Sequence, residues 1–523
     1  MSDGIQKVEQ YYDEVPYDSY MFPQTAPEHL AAIAYLFGLS APAVATARVL
    51  ELGCSSAGNL IPFAVRHPQA RLVGIDLSPV QIDLGKRKLE QMGLGNVELI
   101  AGDLSTMGAE LGEFDYIICH GVYSWVPEPV RDAILRISRD NLAPDGIAYI
   151  SYNTYPGWKG RELVRDAMLL RANQSPEEKL GRARGMIDFL HQHVDAGSVL
   201  GRALQEYQQQ AHSFSDYYLM HEYLEPFNAP CYFSDFVRLA EEQGLSYLAD
   251  ATPATMFLGN YAPAVQGPLL AECGGSQVLL EAYLDFLTNR TFRQSLLVRQ
   301  ERVGDIRYQL QSDGLRTLHL AAHLPCLSGE PRFDPSEQSF GDANGRSLVL
   351  KGREVKCAAV ALTEAWPNTL GMEELLAAVS RQLGSLSARA EHHLTVLFEQ
   401  LVISGMARIR LEPVVARVEP CEKPCIDPAL VAYVRALPEG HTPHVFNAWH
   451  ETVSLDVVAS HLLPLLDGSR TRADLLKCLE EAEQKDQLGF LRNGERLTAP
   501  DDLRQAREEH LDRVLQLFGL ATL

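Results

Sequence analysis

Short apolar runs and amphipathic stretches alternate through the first 300 residues. The runs at 49–52, 71–76, 97–103, 114–119 and 146–152 have the length and composition of buried strands. Between them, 60–65, 79–92 and 130–141 carry helical patterns, with Ser78 predicted to cap the second of these and Pro79 to open its first turn. Upstream, 27–39 reads as a helix, with Thr25 as its N-cap and Glu28 three residues on. Strand–helix alternation implies parallel pairing and right-handed crossovers. From 161 to 210 the pattern is helical without a strand signal, which predicts an insertion. The series then resumes, with a helix capped by Ser234 and strands at 245–249 and 295–298. The expected fold class is α/β: a seven-stranded, doubly wound, Rossmann-like sheet with a helical insertion at about 161–230.

After residue 300 the pattern changes. Residues 301–350 hold short polar strands and turn clusters such as Gly341-Asp-Ala-Asn-Gly345, a middle β-containing connector. Helical patterns at 357–366, 372–383 and 389–404 precede a strand-like run at 406–411. A second set, at 457–466, 472–482 and 504–518, echoes the first, and Arg389-Ala-Glu-His-His-Leu394 resembles Arg507-Glu-Glu-His-Leu511. Three helices followed by a strand or hairpin is a winged-helix pattern. The expected organisation is a domain at 1–300, the connector at 301–350, and α+β winged-helix-like units at 351–425 and 426–523.

Candidate chemistry gathers where strands end. Val49-Leu-Glu-Leu-Gly-Cys-Ser-Ser-Ala-Gly-Asn59 reads as strand, small-residue turn and helix start. Such a turn lets a backbone approach a ligand, and a helix N-terminus offers unpaired N–H groups. Asp76 lies eighteen residues after Gly58, where a ribose-binding acid belongs. A carboxylate there can accept both ribose hydroxyls, and Asp103 can take an exocyclic adenine amine. Glu51 can accept from a ligand cation. In an open α/β sheet, ligands sit outside the carboxyl ends of the strands, where Gly53, Asp76, Asp103, His120 and Asn153 fall. Asp76 would serve an NAD-binding sheet equally. The third acid and the segment His120-Gly-Val-Tyr-Ser-Trp-Val-Pro127 resemble a methyl-donor site rather than a plain NAD-binding one.

Composition narrows the partners. The chain has 523 residues, 46% hydrophobic and 22% charged, enough for several cores. Asp and Glu number 68 against 46 Lys and Arg, a net charge of −22, which argues against general nucleic-acid binding and favours protein contact by the winged-helix-like units. Of nine Cys only Cys421 and Cys425 are close, with no second pair at a zinc spacing, so no metal is expected. An odd count without a framework points to a reducing compartment. No apolar signal region opens the chain and no apolar stretch is long enough to span a bilayer, so the expected setting is cytoplasmic, without an integral membrane segment.

The turn and its spaced acids resemble class I S-adenosylmethionine-dependent methyltransferases. The turn departs from the family's acid-x-Gly-x-Gly-x-Gly form: Gly53 is present, Ser55 and Ala57 stand at the later glycine positions, and Gly58 comes one step beyond. A narrower resemblance rests on Tyr12-Asp-Glu-Val-Pro-Tyr17, Glu51-Leu-Gly-Cys54 with Gly58-Asn59, Gly121-Val-Tyr-Ser-Trp-Val-Pro127, Tyr152-Asn-Thr-Tyr-Pro-Gly-Trp158, His221-Glu-Tyr-Leu224 and Tyr283-Leu-Asp-Phe-Leu-Thr-Asn-Arg-Thr-Phe-Arg293. These are similar to bacterial methyltransferases with a regulatory domain, a group that includes the rickettsial protein lysine methyltransferases acting on outer-membrane proteins. The resemblance implies S-adenosyl-L-methionine as cofactor, a protein substrate, and a homodimer formed through the helical insertion.

It also implies residue roles. Glu51, Gly53, Cys54, Ser55, Gly58, Asn59, Asp76, Leu77, Asp103, Leu104 and His120 would bind the donor. Methyl transfer to an amine needs positioning and desolvation more than a strong acid or base. Tyr123, Trp125, Asn153 and His120 are the catalytic candidates. Tyr17, Phe22, Tyr155, Trp158, His221 and Tyr223 are the substrate-pocket candidates, with aromatic faces suited to a cationic product. The alternatives are a small-molecule methyltransferase and a donor-binding regulatory protein without turnover.

Overall fold

Strands form where the apolar runs predict them. They are β1 (Arg48–Leu52), β2 (Arg71–Asp76), β3 (Val97–Ala101), β4 (Phe114–Cys119), β5 (Leu142–Asn153), β6 (Leu245–Asp250) and β7 (Phe292–Arg299). The structure is a computed structural model that describes residues 19–172, 178–211, 214–416, 421–435, 444–492 and 495–519. Tyr17 and the aromatic stretch before Ser19 lie outside the described residues. The seven strands make one doubly wound sheet in the order β3-β2-β1-β4-β5-β7-β6. β1 pairs parallel with β2, β2 with β3, and β4 with β5. β7 runs antiparallel to both β5 and β6. Alternation along the chain fixes the succession of elements but not this inserted, reversed strand, which depends on pairing between distant segments.

The described residues fall into two compact units. The first draws on 103–250 and 261–304. Here β4 and β5 are buried along nearly their whole length, as parallel strands covered on both faces are. The helix Phe233–Glu242 begins after Tyr232 with no side-chain cap, so Ser234 lies inside its first turn rather than at the N-cap. The expected insertion is a set of four helices, Trp158–Ala172, Lys179–His193, Val199–Ala211 and Asp216–Glu222. Its apolar stripes close on each other, with Val164, Met168, Ile187, Leu204, Tyr207, Leu219 and Tyr223 in a core of its own.

The second unit draws on 19–102, 251–260 and 305–519. It contains β1–β3 and the helix Pro79–Met92, which Ser78 caps by accepting from Gln81 N at 3.2 Å and which Gly93 ends at φ 68°. The helix Pro27–Leu36 has no side-chain cap, and Thr25 donates its hydroxyl to Phe22 O at 2.8 Å instead. Past residue 305, β8 (His319–Ala321) pairs with β11 (Arg408–Arg410), and β9 (Glu337–Gly341) with β10 (Ser347–Lys351). The helices Arg353–Ala365, Met372–Leu383 and Ala390–Ser404 lie between β10 and β11. The C-terminal part adds the helix Pro428–Arg435, the hairpin β12 (His444–Phe446) and β13 (Thr452–Ser454), and the helices Val457–Leu462, Arg472–Gln484 and Pro500–Leu517. The two similar local openings do not correspond: one starts the helix Ala390–Ser404, whereas Arg507–Leu511 lies mid-helix. Among the described residues no helix is long and apolar enough to cross a membrane.

Candidate functional site

In the second unit, β1 runs into a turn whose backbone is held from β2. Gly53 and Cys54 both donate their N–H to Ile75 O, at 2.8 and 3.0 Å. Gly53 has φ 78°, and Ser55 and Ala57 have φ 48° and 66°. The residues at the missing glycine positions therefore keep the left-handed conformation that glycine adopts freely, at a cost of about 1–2 kcal/mol each. The turn shape survives the substitution, and the strain is stored there.

Asp76 at the end of β2 holds the turn in place. Its Oδ2 accepts Ser55 N–H at 2.8 Å and its Oδ1 accepts Ser78 N–H at 3.0 Å. A carboxylate offers about four acceptor positions, the chemistry by which an acid at a strand end can serve a ligand diol. Leu77 beside it is half-buried. Buried Lys88 donates to Ser56 Oγ at 2.8 Å, and burial pushes the Cys54 thiol up, which keeps it an inert packing group.

Gly58 is required by a close approach. Its N–H donates to Ser19 Oγ at 2.7 Å, and a Cβ there would stand 2.3 Å from Ser19 O. Gly58→Ala is expected to destabilise the fold by about 1–3 kcal/mol, as overpacking does. Urea unfolding checks this, and a variant as stable as the parent would show that the segment 19–22 yields without cost.

Glu51 is 3% exposed and faces the same turn. Its Oε1 accepts from Asn59 Nδ2 at 2.7 Å, while Oε2 has no hydrogen-bond partner among the described residues. Burial lifts its pKa to about 7, against the Asn59 bond and with help from Asp76. A buried carboxylate with one oxygen unsatisfied is costly unless a donor or cation completes it. The arrangement suits a ligand with a cationic head beside a diol. Phe22 donates its N–H to Asn59 Oδ1 at 3.0 Å, which places this predicted pocket residue at the turn.

In the first unit, Asp103 caps the short helix Leu104–Thr106 by accepting from Ser105 N at 2.9 Å, and Leu104 is buried. His120 follows β4 with Nδ1 2.8 Å from Tyr149 OH, and its surroundings push the ring down to about 3. It stays neutral at physiological pH and is a weak base, better suited to packing or hydrogen bonding than to proton abstraction.

Asn153 ends β5. Its N–H donates to Ser124 Oγ at 2.9 Å, and its Nδ2 donates to Asn228 Oδ1 at 3.0 Å. Asn228 Nδ2 is buried and has no partner among the described residues. No local pattern singles out Asn228; its mark is its place between Pro226 and Pro230 in an aromatic-rich stretch. Trp125 and Trp158 meet edge to face with centroids 6.1 Å apart, and Tyr123 packs edge-on against Tyr152 and Phe236. Tyr155 donates its hydroxyl to Glu162 Oε1 at 2.6 Å and lies 5.2 Å from the Tyr232 ring. His221 pairs with Glu225 at 3.1 Å, and Tyr223 is part of the insertion's own core. The structure thus groups Asn153 with Asn228 and Trp125 with Trp158, and gives Tyr223 a packing role within the insertion.

Three family models match. "Methyltransferase domain" covers residues 49–146, "Predicted methyltransferase regulatory domain" 215–299, and "PKMT, C-terminal winged helix domain" 422–523. The protein RP789 of Rickettsia prowazekii is 31% identical over 97% of this chain and 92% of its own length. The protein sll1526 of Synechocystis is 30% identical over 63% of this chain and 66% of its own length. The solved structure of PKMT2 from Rickettsia typhi in complex with AdoHcy matches with a TM-score of 0.86 and 29% identity, over 96% of this chain and 99% of that one.

Proposed function

Since the chain belongs to the class I S-adenosylmethionine-dependent methyltransferases that carry a methyltransferase regulatory domain, we propose that it N-methylates lysine side chains of a protein substrate. The observation that carries this reading is the full-length likeness to PKMT2, which extends through the C-terminal winged-helix domain and is not confined to the methyltransferase part. A domain of that kind, attached to a methyltransferase, favours a polypeptide over a small metabolite. Labelled methyl donor incubated with the enzyme and a cell lysate should yield labelled polypeptide whose hydrolysate contains methyl-lysine. Label confined to the low-mass fraction would favour the small-molecule alternative.

S-adenosylmethionine supplies an electrophilic methyl group on a sulfonium. Glu51 Oε2 is suited to its ammonium, Asp76 to its ribose hydroxyls and Asp103 to its adenine amine. His120, Tyr123, Trp125 and Asn153 are the proposed residues around the reacting amine. Asn153 can accept from the amine N–H, and Tyr123, Trp125 and Trp158 can face the cation that forms. No strong base is required if the lysine enters unprotonated. Donor binding through Glu51 has a pH signature. The carboxylate binds the ammonium, and it is protonated below about 7 in the free enzyme. Affinity for S-adenosylhomocysteine, which keeps the ammonium, should therefore fall by up to about tenfold per unit below that pH and level off above it. Calorimetry from pH 5.5 to 8 reads this, and a flat profile would remove the ammonium from Glu51.

A further inference from the structure

Asn59 is bonded on every side. Its Oδ1 accepts Phe22 N–H at 3.0 Å, and because that partner is a backbone donor the amide orientation is fixed. Its Nδ2 then donates to Glu51 Oε1 at 2.7 Å and to Thr25 Oγ1 at 3.0 Å. The second lone pair of Oδ1 faces His450 Nε2 at 3.0 Å. His450 lies 391 residues away in sequence, in the turn between β12 and β13 of the matched winged-helix domain.

The tautomer of His450 follows from its other neighbour. Arg66 Nη2 stands 3.1 Å from Nδ1, and a guanidinium can only donate, so Nδ1 accepts and Nε2 carries the hydrogen given to Asn59. Burial and Arg66 push the ring down to about 3, which keeps this neutral form at physiological pH. Arg66 is anchored in turn by Glu28, which accepts from its Nε and Nη2 at 3.1 and 3.0 Å. His450 is 1% exposed with φ 62°, a left-handed conformation for a residue with a Cβ. Backbone strain retained at a buried residue whose ring meets the candidate turn motivates a functional role. The same hairpin clasps the segment beside the turn: Met21 N donates to Thr452 Oγ1, and Thr452 Oγ1 donates to Met21 O, each at 3.0 Å.

We propose that His450 is a positioning residue for the methyl donor, contributed by the C-terminal domain: it braces the Asn59 amide that Phe22 N–H orients, and Asn59 aims the unpaired oxygen of Glu51 at the donor's ammonium. The inference rests on the donor reading above. It makes the C-terminal domain part of the donor site, beyond any part it plays in holding the substrate.

Two ligands separate positioning from structural support. S-adenosylhomocysteine carries the ammonium, whereas 5′-methylthioadenosine keeps the nucleoside and lacks the amino-acid part. His450→Asn tolerates the positive φ but is too short to reach Asn59. It should weaken S-adenosylhomocysteine about tenfold, the worth of one hydrogen bond to a charged network, and leave methylthioadenosine unchanged in calorimetry on the full chain. His450→Gln, which reaches both Asn59 and Arg66, should restore the difference. If His450→Asn unfolds, His450→Gly accepts the same φ and carries the comparison. Equal weakening of both ligands in a folded variant, or unchanged affinity for S-adenosylhomocysteine, overturns the proposal. A parent enzyme that binds neither ligand overturns the donor reading itself, and the inference with it.

Discussion

Arg293→Met should destabilise the protein by about 3–5 kcal/mol, because it takes from two buried carboxylates their principal cation and leaves only Arg290, 3.8 Å from Asp285. Arg293 on β7 is 0% exposed. Its Nε and Nη2 donate to the two oxygens of Asp285, both at 2.8 Å, and its Nη1 donates to Glu281 Oε2 at 3.0 Å. The guanidinium lies 3.5 Å from the centroid of the Phe233 ring. Glu281 and Asp285 are four residues apart on the helix Gln277–Thr288, so one arginine ties that helix to the sheet. Burial pushes both carboxyls up, and Arg293 pulls them back. Without it they take up protons in the folded state at pH values where the unfolded chain has released them. The variant's stability should therefore fall as pH rises from the ordinary carboxylate range toward neutrality, more steeply than the parent's. Urea titrations at several pH values test both statements, and a loss under 1 kcal/mol would mean that water reaches the pair. Adding Glu281→Gln and Asp285→Asn should recover much of the loss, since neutral amides carry no buried charge.

Asp76→Asn should weaken S-adenosylhomocysteine by about 1.5–3 kcal/mol, the range for hydrogen bonds to a charged acceptor. An asparagine offers one acceptor oxygen where the carboxylate offers two. In either orientation its NH₂ also faces a backbone N–H, that of Ser55 or Ser78, which Asp76 now satisfies. Asp76→Ala is the poorer test, because it releases the turn as well as the ribose. Calorimetry with a circular dichroism check on folding separates the two effects. Unchanged affinity in the asparagine variant would remove Asp76 from the donor site.

The local elements were legible because their ends carry chemistry. The helix Pro79–Met92 starts and stops where Ser78, Pro79 and Gly93 say it should, and β2 and β4 coincide with their apolar runs. Ser55 and Ala57 were visible as departures from a glycine pattern, but their positive φ was not, since sequence shows which residue is present and not the conformation it is forced into. Thr25 reads as a cap, but its hydroxyl donates to Phe22 O three residues back and accepts from Asn59, a tertiary contact. The reversed β7, the Asn153–Asn228 pair and the His450–Asn59 bond join residues 75 to 391 positions apart where they are side-chain contacts, and no local pattern announces such meetings. The candidate acids were readable for the opposite reason: each sits at the end of a strand, a place that periodicity identifies.

The bonds from Met21 to Thr452 and from Asn59 to His450 also set a timetable. They span 431 and 391 residues, and at roughly 5–20 residues per second the ribosome needs on the order of 20–90 s to supply the second partner. Through that interval β1–β3 exist with the Glu51 carboxylate and the Asn59 amide incompletely braced. A nascent chain would thus complete the bracing of this turn only after His450 and Thr452 have been made. The order of translation itself therefore delays the rigid form of the turn until the β12–β13 hairpin exists.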